Sequence, residues 1–170
     1  MRHPLACTAA GFAVVAALLL VAGCGSQTEA VPIPRESAAE SLRSKLAADG
    51  LDVAWLTTSQ RPDFFDSRVR RATLQIDGDA GTLVNLYRFP DEQTAAAGAG
   101  GVSEDGMQVP MDGGLASVSW TGRPHFFRQG RLIALFCESG DVQAPTRRDR
   151  LILAALQEVM GPQFAGLSHE

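Results

Sequence analysis

The feature that most constrains this chain is an apolar run near its start, because it indicates which residues belong to the folded domain and which to an N-terminal signal. After Met1-Arg2-His3, a short positive region, an almost uninterrupted apolar run extends from Ala9 to Ala22. A helix that crosses the hydrocarbon core of a membrane needs about 20 residues, so this run is too short to be a permanent anchor. A short apolar run behind a positive start is typical of an export signal.

The apolar run ends in Val21-Ala22-Gly23-Cys24, which resembles the lipobox of bacterial lipoproteins: an aliphatic residue, two small residues and a cysteine. The resemblance implies that the thiol of Cys24 receives a diacylglyceryl group and that the chain is cut between Gly23 and Cys24. Residues 1–23 are therefore expected to be a lipoprotein signal peptide. An ordinary secretory signal followed by a chance cysteine is the alternative, since such a signal needs only small residues before its cut.

Residues 24–35 have the composition of a flexible tether, being polar and proline-containing without an apolar period. We expect membrane lipid to be the first partner of the protein, reached through acylated Cys24, because two or more acyl chains make a stable anchor. The expected location is the outer face of the cell membrane, or the outer membrane if the host has one.

Composition limits what the exported part can be. Residues 36–170 are about the size of one domain with a single core. The signal contains one charged residue, Arg2, so 14 basic residues remain against 19 acidic ones, a formal charge of −5. A mildly acidic chain gives no electrostatic case for binding nucleic acid. Cys7 leaves with the signal and Cys24 is consumed by lipid, so Cys137 has no cysteine partner within the chain.

Local patterns predict the secondary structure of the domain. Ser37-Ala38-Ala39-Glu40 has the pattern of a capping box that begins a helix, which should end before Gly50. A short strand is predicted over 51–56. Strands over 72–76 and 82–89 flank Asp77-Gly78-Asp79-Ala80-Gly81, the residue types that a β-hairpin turn needs for positive φ. Further predicted elements are a helix starting at Pro90, a loop with six glycines over 98–114, strands near 116–120, 125–128 and 132–137, and a helix over 146–160.

This order of elements predicts an α+β fold. We expect an antiparallel sheet of about six strands with helices packed on one face. The order helix, strand, hairpin occurs twice, which predicts two similar halves followed by a closing C-terminal helix.

Candidate catalytic residues are few. His125 is the only histidine placed within the body of the domain, and we interpret it as a surface or structural residue rather than a base. Cys137 lies in an apolar strand and is interpreted as an inert buried thiol, with a nucleophilic thiol as the alternative. The chain lacks the Gly-x-Ser-x-Gly motif of hydrolases and the Gly-Lys-Ser/Thr ending of a phosphate loop. Met107, Met111, His125 and Cys137 do not form a compact ligand motif, so no metal or cofactor is expected.

A binding surface is the second kind of site that the sequence suggests. Aromatic residues projecting from an uncovered sheet face would line a groove for a ligand or partner. Core packing is the default role for each of them, and a binding surface is the alternative. The candidate surface comprises Trp55, Trp120, His125, Phe126 and Phe127.

The second half of the chain contains a set of segments that carry a resemblance: Tyr87-Arg88-Phe89-Pro90-Asp91-Glu92, Trp120, residues 124–133 and residues 160–166. Together they resemble a recurring pattern among small uncharacterised envelope lipoproteins of GC-rich bacteria. The resemblance implies kinship without a known activity. Arginine outnumbers lysine fourteen to one, as is typical of a GC-rich genome.

Two functional hypotheses follow. The first is a non-enzymatic binding or protein-interaction module of the cell envelope, with the open sheet face or the glycine-rich loop as the contact surface. A complete fold pattern without a convergent catalytic set favours it. The alternative is an envelope enzyme with a site around His125 and Cys137. Neither hypothesis identifies a small-molecule ligand.

Overall fold

The structure is a computed structural model and describes residues 36–56, 64–138 and 145–166. The predicted signal peptide 1–23 and tether 24–35, with Gly23 and Cys24, lie outside the described residues. None of the helices within these ranges is long and apolar enough to cross a membrane.

Three helices accompany a six-stranded antiparallel sheet, which confirms the predicted α+β class and the strand number. The order of strands in the sheet is β1-β2-β3-β7-β6-β8, and β4 and β5 form a separate two-stranded hairpin. The elements in chain order are α1 (Ser37–Ala48), β1 (Val53–Leu56), β2 (Arg70–Ile76), β3 (Asp79–Arg88), α2 (Glu92–Gly100), β4 (Gln108–Met111), β5 (Gly114–Ser117), β6 (Pro124–Gln129), β7 (Leu132–Cys137), α3 (Arg147–Met160) and β8 (Gln163–Gly166).

The helix starts show how short-range sequence signals act. Asp91 caps α2 and Thr146 caps α3, and each forms a reciprocal capping box with the residue three positions on. The capping box predicted at Ser37 is wrong: Glu36 is the N-cap, without a side-chain cap bond, and Ser37 is the first helical residue. Glu36 instead pairs with Arg131, so a tertiary ion pair fixes the start of α1.

The predicted hairpin is confirmed as β2–β3. Asp77 and Gly78 have φ of 54° and 64°, the paired positive values that a tight two-residue turn requires. The strands pair in register from Arg70 with Arg88 to Gln75 with Leu83. The hairpin therefore supplies two adjacent central strands of the sheet.

The sheet is covered on both faces, so the prediction that the helices pack on one face is correct for α1 and α3 and wrong for α2. Alternate residues of β3 enter different cores: Val84 and Leu86 face α1 and α3, whereas Tyr87 and Phe89 face α2. Both faces of this strand are apolar, and each must be shielded from water. The first core contains Leu42, Leu46, Leu74, Ile76, Phe127, Phe136, Ile152 and Leu156, and the second contains Phe65, Val69, Ala95, Val109, Phe126, Ile133 and Leu135.

The prediction of two similar halves is not confirmed. The strand expected near 116–120 is β5, and it pairs with β4 outside the main sheet instead of joining β6. The edge position beside β6 belongs to β8, which follows α3, so the C-terminal helix does not close the fold. Both β4 and β8 were missed because each has only four residues and lies beside glycine or proline.

Candidate functional site

His125 lies in β6 and is buried, with 1% of its surface exposed. Its neighbours in the sheet are Phe136 of β7, whose ring stacks on the imidazole at a centroid distance of 6.4 Å, and Gly166 of β8. Phe136 belongs to the first core. The imidazole therefore faces the side of the sheet covered by α1 and α3, not solvent.

Two oxygen-bearing side chains approach the two ring nitrogens of His125. Nδ1 lies 2.8 Å from Oε1 of Gln163, and Nε2 lies 3.5 Å from Oε1 of Glu138. The three side chains, which we call the buried polar cluster, join β6, the end of β7 and β8.

The deep burial of His125 and Glu138 indicates a structural role for the buried polar cluster. The side chain of His125 is 2% exposed and that of Glu138 is 6% exposed. A general base must come within hydrogen-bond reach of a substrate, and a ring this deeply buried offers no such access. Of the two roles considered for His125, surface or structural, its burial agrees with the structural one.

Sequence reasoning missed both partners of His125. Leu132, Ala134 and Phe136 all enter the first core, and Glu138 is the next residue of this two-residue period. The period could therefore have placed the Glu138 side chain on the same face of the sheet. Gln163 had no such signal, because it lies in the four-residue strand that was not predicted.

Cys137 and His125 do not form one site. Cys137 pairs in register with Pro124 and packs against the second core, on the opposite face of the sheet from His125. Burial raises the pKa of the Cys137 thiol to about 12. The thiolate is the nucleophilic form of cysteine, so a thiol held neutral in this way is unsuited to covalent catalysis. The site proposed for the envelope enzyme is not assembled by this fold.

We expect Cys137 to resist alkylation in the folded protein. At pH 8, iodoacetamide should modify the peptide containing Cys137 much more slowly in buffer than in urea, as measured by mass spectrometry. Ser117→Cys, an exposed thiol in β5, is the control and should react rapidly in buffer. Equal rates at the two positions in the folded protein would contradict the burial of Cys137. Because the pKa of this thiol is about 12 in the folded protein and ordinarily 9.0, the unfolded chain loses the proton first, and stability should fall as pH rises from 9 towards 12.

The aromatic residues of the predicted binding surface do not share a surface. Trp55 packs against the first core and Trp120 against the second, so they lie on opposite sides of the sheet. Phe126 and Phe127 are buried at 0% and 2% exposure, and they also enter different cores. Core packing, the default role, describes them. Trp120 donates from Nε1 to the carbonyl oxygen of Gly106 at 2.8 Å, which ties it to the glycine-rich segment.

Metal-binding side chains are dispersed. Within residues 36–56, 64–138 and 145–166, no three His, Cys, Asp or Glu side chains lie close enough to hold a metal ion. The methionines considered as soft ligands, Met107 and Met111, are exposed at the ends of a hairpin strand, away from the buried polar cluster.

An accessible site lies instead in the glycine-rich segment. Within the described part of the chain, the exposed large hydrophobic side chains are Met107, Met111 and Leu115, at 40%, 45% and 62% exposure, and all three belong to or adjoin the β4–β5 hairpin. Val109, between the two methionines, is fully buried in the second core and holds the hairpin against the sheet. The hairpin is therefore a firmly seated element that presents apolar side chains to solvent.

The outer edge of β5 also presents backbone groups. Pro110 lies opposite Leu115, and its carbonyl oxygen accepts from the N–H of Phe65, on the side away from β5. Pro110 and Leu115 are thus a non-hydrogen-bonded pair, and the N–H and C=O of Leu115 also point away from the hairpin. Ser117 lies opposite Gln108, and the N–H and C=O of Gln108 are hydrogen-bonded to Ser103 on the side away from β5. The N–H and C=O of Ser117 therefore also point away from the hairpin.

Two residues of β5, Leu115 and Ser117, consequently offer outward N–H and C=O groups to which no other described residue is hydrogen-bonded. Strand β5 carries no charge and no proline, the features that usually block pairing at an exposed edge. We call Leu115, Ser117 and the outer edge of β5 the hairpin surface. Met107 and Met111 flank Val109 at two-residue spacing and lie on the other face of the hairpin.

No protein-family model, curated protein or solved structure matches this chain. Its candidate site therefore depends on the geometry alone.

Proposed function

We propose that the protein is a lipid-anchored lipoprotein of the cell envelope that acts as a protein-interaction module. Its hairpin surface binds an extended segment of a protein partner, which adds a strand to the outer edge of β5. The observation that carries the proposal is the coincidence of an exposed apolar side chain, Leu115, with unused backbone groups on one strand edge.

Strand addition suits this surface better than a deep pocket does. Main-chain hydrogen bonds to an exposed edge supply affinity in this mode of recognition, and alternate side chains supply specificity. Leu115 projects from the hairpin face opposite the buried Val109, so an added strand has an apolar contact beside its hydrogen bonds. Of the two contact surfaces considered for a binding module, the sheet faces are covered by helices and hairpin, which leaves the glycine-rich segment.

The location is argued from the N-terminus. Cys24 carries the lipid, residues 25–35 are the tether, and the domain begins near Glu36, the N-cap of α1. Such an anchor holds the domain at the membrane surface and leaves its hairpin available to other envelope proteins.

Lipidation is tested by metabolic labelling with a tagged fatty acid. The wild-type chain should incorporate the label and lose its signal peptide, because Cys24 is the acceptor. Cys24→Ser should take up no label and keep the mass of the precursor, whereas Cys137→Ser should behave as wild type. A Cys24→Ser chain that is cut normally, beside an unlabelled wild type, would identify an ordinary secretory signal.

The contact surface is tested by cross-linking the protein in its native membranes. A specific complex should form with the wild type and be lost in Leu115→Lys, since a charge at an open strand edge opposes pairing. Gln108→Lys is the matched control, because Gln108 is exposed on the same hairpin but lies on β4, whose outer side is occupied by Ser103. Equal complex formation in the two variants would exclude the hairpin surface.

A further inference from the structure

We infer that the strand added to β5 is the β5 of a second copy of this chain, so that the lipoprotein self-associates about a two-fold axis through Ala116. The inference rests on the proposed function and names its partner. It is carried by the self-complementary arrangement of backbone groups, side chains and charge along β5.

The backbone groups of β5 fit a second β5 in one register. In an antiparallel pair, two residues exchange both hydrogen bonds when the N–H and C=O of each point towards the other strand. Leu115 and Ser117 have this orientation, and Ala116 between them faces β4. Pairing Leu115 with the Ser117 of the other copy places Ala116 on the two-fold axis. The four outward groups of each copy, two N–H and two C=O, are then all hydrogen-bonded to the other copy. Registers shifted by two residues use fewer groups of the strand.

The side chains and charges of this register are compatible. Leu115 of one copy is a diagonal neighbour of Leu115 of the other, within reach for apolar contact at about 7–8 Å between the backbones. The nearest charged residue on the hairpin, Asp112, lies opposite Trp120 of the other copy in this register. Asp112 also accepts a hydrogen bond from the N–H of Ser67, which holds its carboxylate at the body of its own domain. Like charges are therefore not opposed across the axis.

The pairing is short, and its occupancy depends on the membrane. A four-residue strand pair buries less than the roughly 1,000 Å² of a stable interface. Copies anchored to one surface meet at a raised effective concentration, which favours a contact that is weak in solution. The inferred complex is thus a dimer of the lipid-anchored protein.

The test is thiol cross-linking of the lipidated full chain in its native membranes. Ser117→Cys places two thiols at diagonal positions about 7–8 Å apart across the axis, which suits a short bismaleimide. Gln108→Cys is the matched control, because Gln108 pairs directly with Ser117 but lies on β4. Two copies of Gln108 are three strand spacings apart, about 14 Å. The parent chain controls for native thiols, and Cys137 is protected by burial.

We expect Ser117→Cys to give at least five times more cross-linked dimer than Gln108→Cys, and Leu115→Lys added to Ser117→Cys to remove that excess. Equal dimer yields at the two positions would overturn the inference. Cross-linking of Ser117→Cys to a different protein, still sensitive to Leu115→Lys, would overturn self-association and leave the proposed function standing. Absence of any Leu115-dependent product would overturn both.

Discussion

Replacing Glu138 by alanine should lower the free energy of unfolding by about 3 kcal/mol. Glu138 is 5% exposed and its carboxylate lies 3.5 Å from Nε2 of His125, so its removal takes the nearby polar group away from a buried imidazole. Urea denaturation measures the loss. Tryptophan fluorescence is a suitable signal, because Trp55 and Trp120 report on different cores.

Two further variants define the cause of that loss. Glu138→Gln keeps an oxygen acceptor in nearly the same shape, so it should lose clearly less stability than alanine does. Asp66→Ala removes an ion pair with Arg68 whose side chains are 43% and 71% exposed, and it should cost little because solvent screens such pairs. If Glu138→Ala is as stable as Asp66→Ala, the buried polar cluster does not hold the strands together.

Replacing Gly122 by alanine should cost at least about 3 kcal/mol, because overpacking against backbone that cannot move is at the severe end of such changes. A Cβ at this position would lie 1.7 Å from the carbonyl oxygen of Glu138. The adjacent N–H of Glu138 donates to the carbonyl oxygen of Arg123 at 3.0 Å, which fixes the two segments together. Thermal or urea denaturation should show a large drop in the midpoint.

Gly100→Ala is the matched control for the glycine experiment. A Cβ at Gly100 would meet nothing within 4 Å, and the residue ends α2, where alanine is the better helix former. Gly100→Ala should therefore be neutral or slightly stabilising. Equal effects at Gly122 and Gly100 would show that the close approach to Glu138 relaxes without cost.

Strong local signals made much of the fold predictable. The turn at Asp77-Gly78 demands positive φ, and the capping box at Thr146 marks a helix start without help from tertiary contacts. These signals determined β2, β3 and α3. Continuous apolar runs likewise located β6 and β7, which are buried along most of their length.

The features that were not predictable depend on contacts between distant residues. Ser37 has a good capping residue type, yet the pairing of Glu36 with Arg131 sets the start of α1. The second face of the sheet needs a cover because Tyr87 and Phe89 point there, and only tertiary structure shows that α2 and the β4–β5 hairpin supply it.

The candidate site was predictable as a region but not as a surface. The glycine-rich segment was recognised as a contact candidate, whereas the choice of Leu115 and Ser117 depends on which strand of an unpredicted hairpin is already paired. His125 was recognised as structural, but its partners Glu138 and Gln163 come from parts of the chain that sequence spacing does not connect.

The central position of the β3–β7 pair has a consequence for biogenesis. Leu86 of β3 is the register partner of Ala134 of β7. The first core likewise combines residues of α1 and β2 with residues of β7 and α3. Neither half of the chain can complete a core alone, and contacts between distant segments form slowly. We proposed above that Cys24 carries a lipid. A chain anchored in that way, and threaded through a membrane from its N-terminus, would have its anchor in place before its domain can fold. Its strands would stay unpaired at the membrane surface until α3 and β8 have crossed.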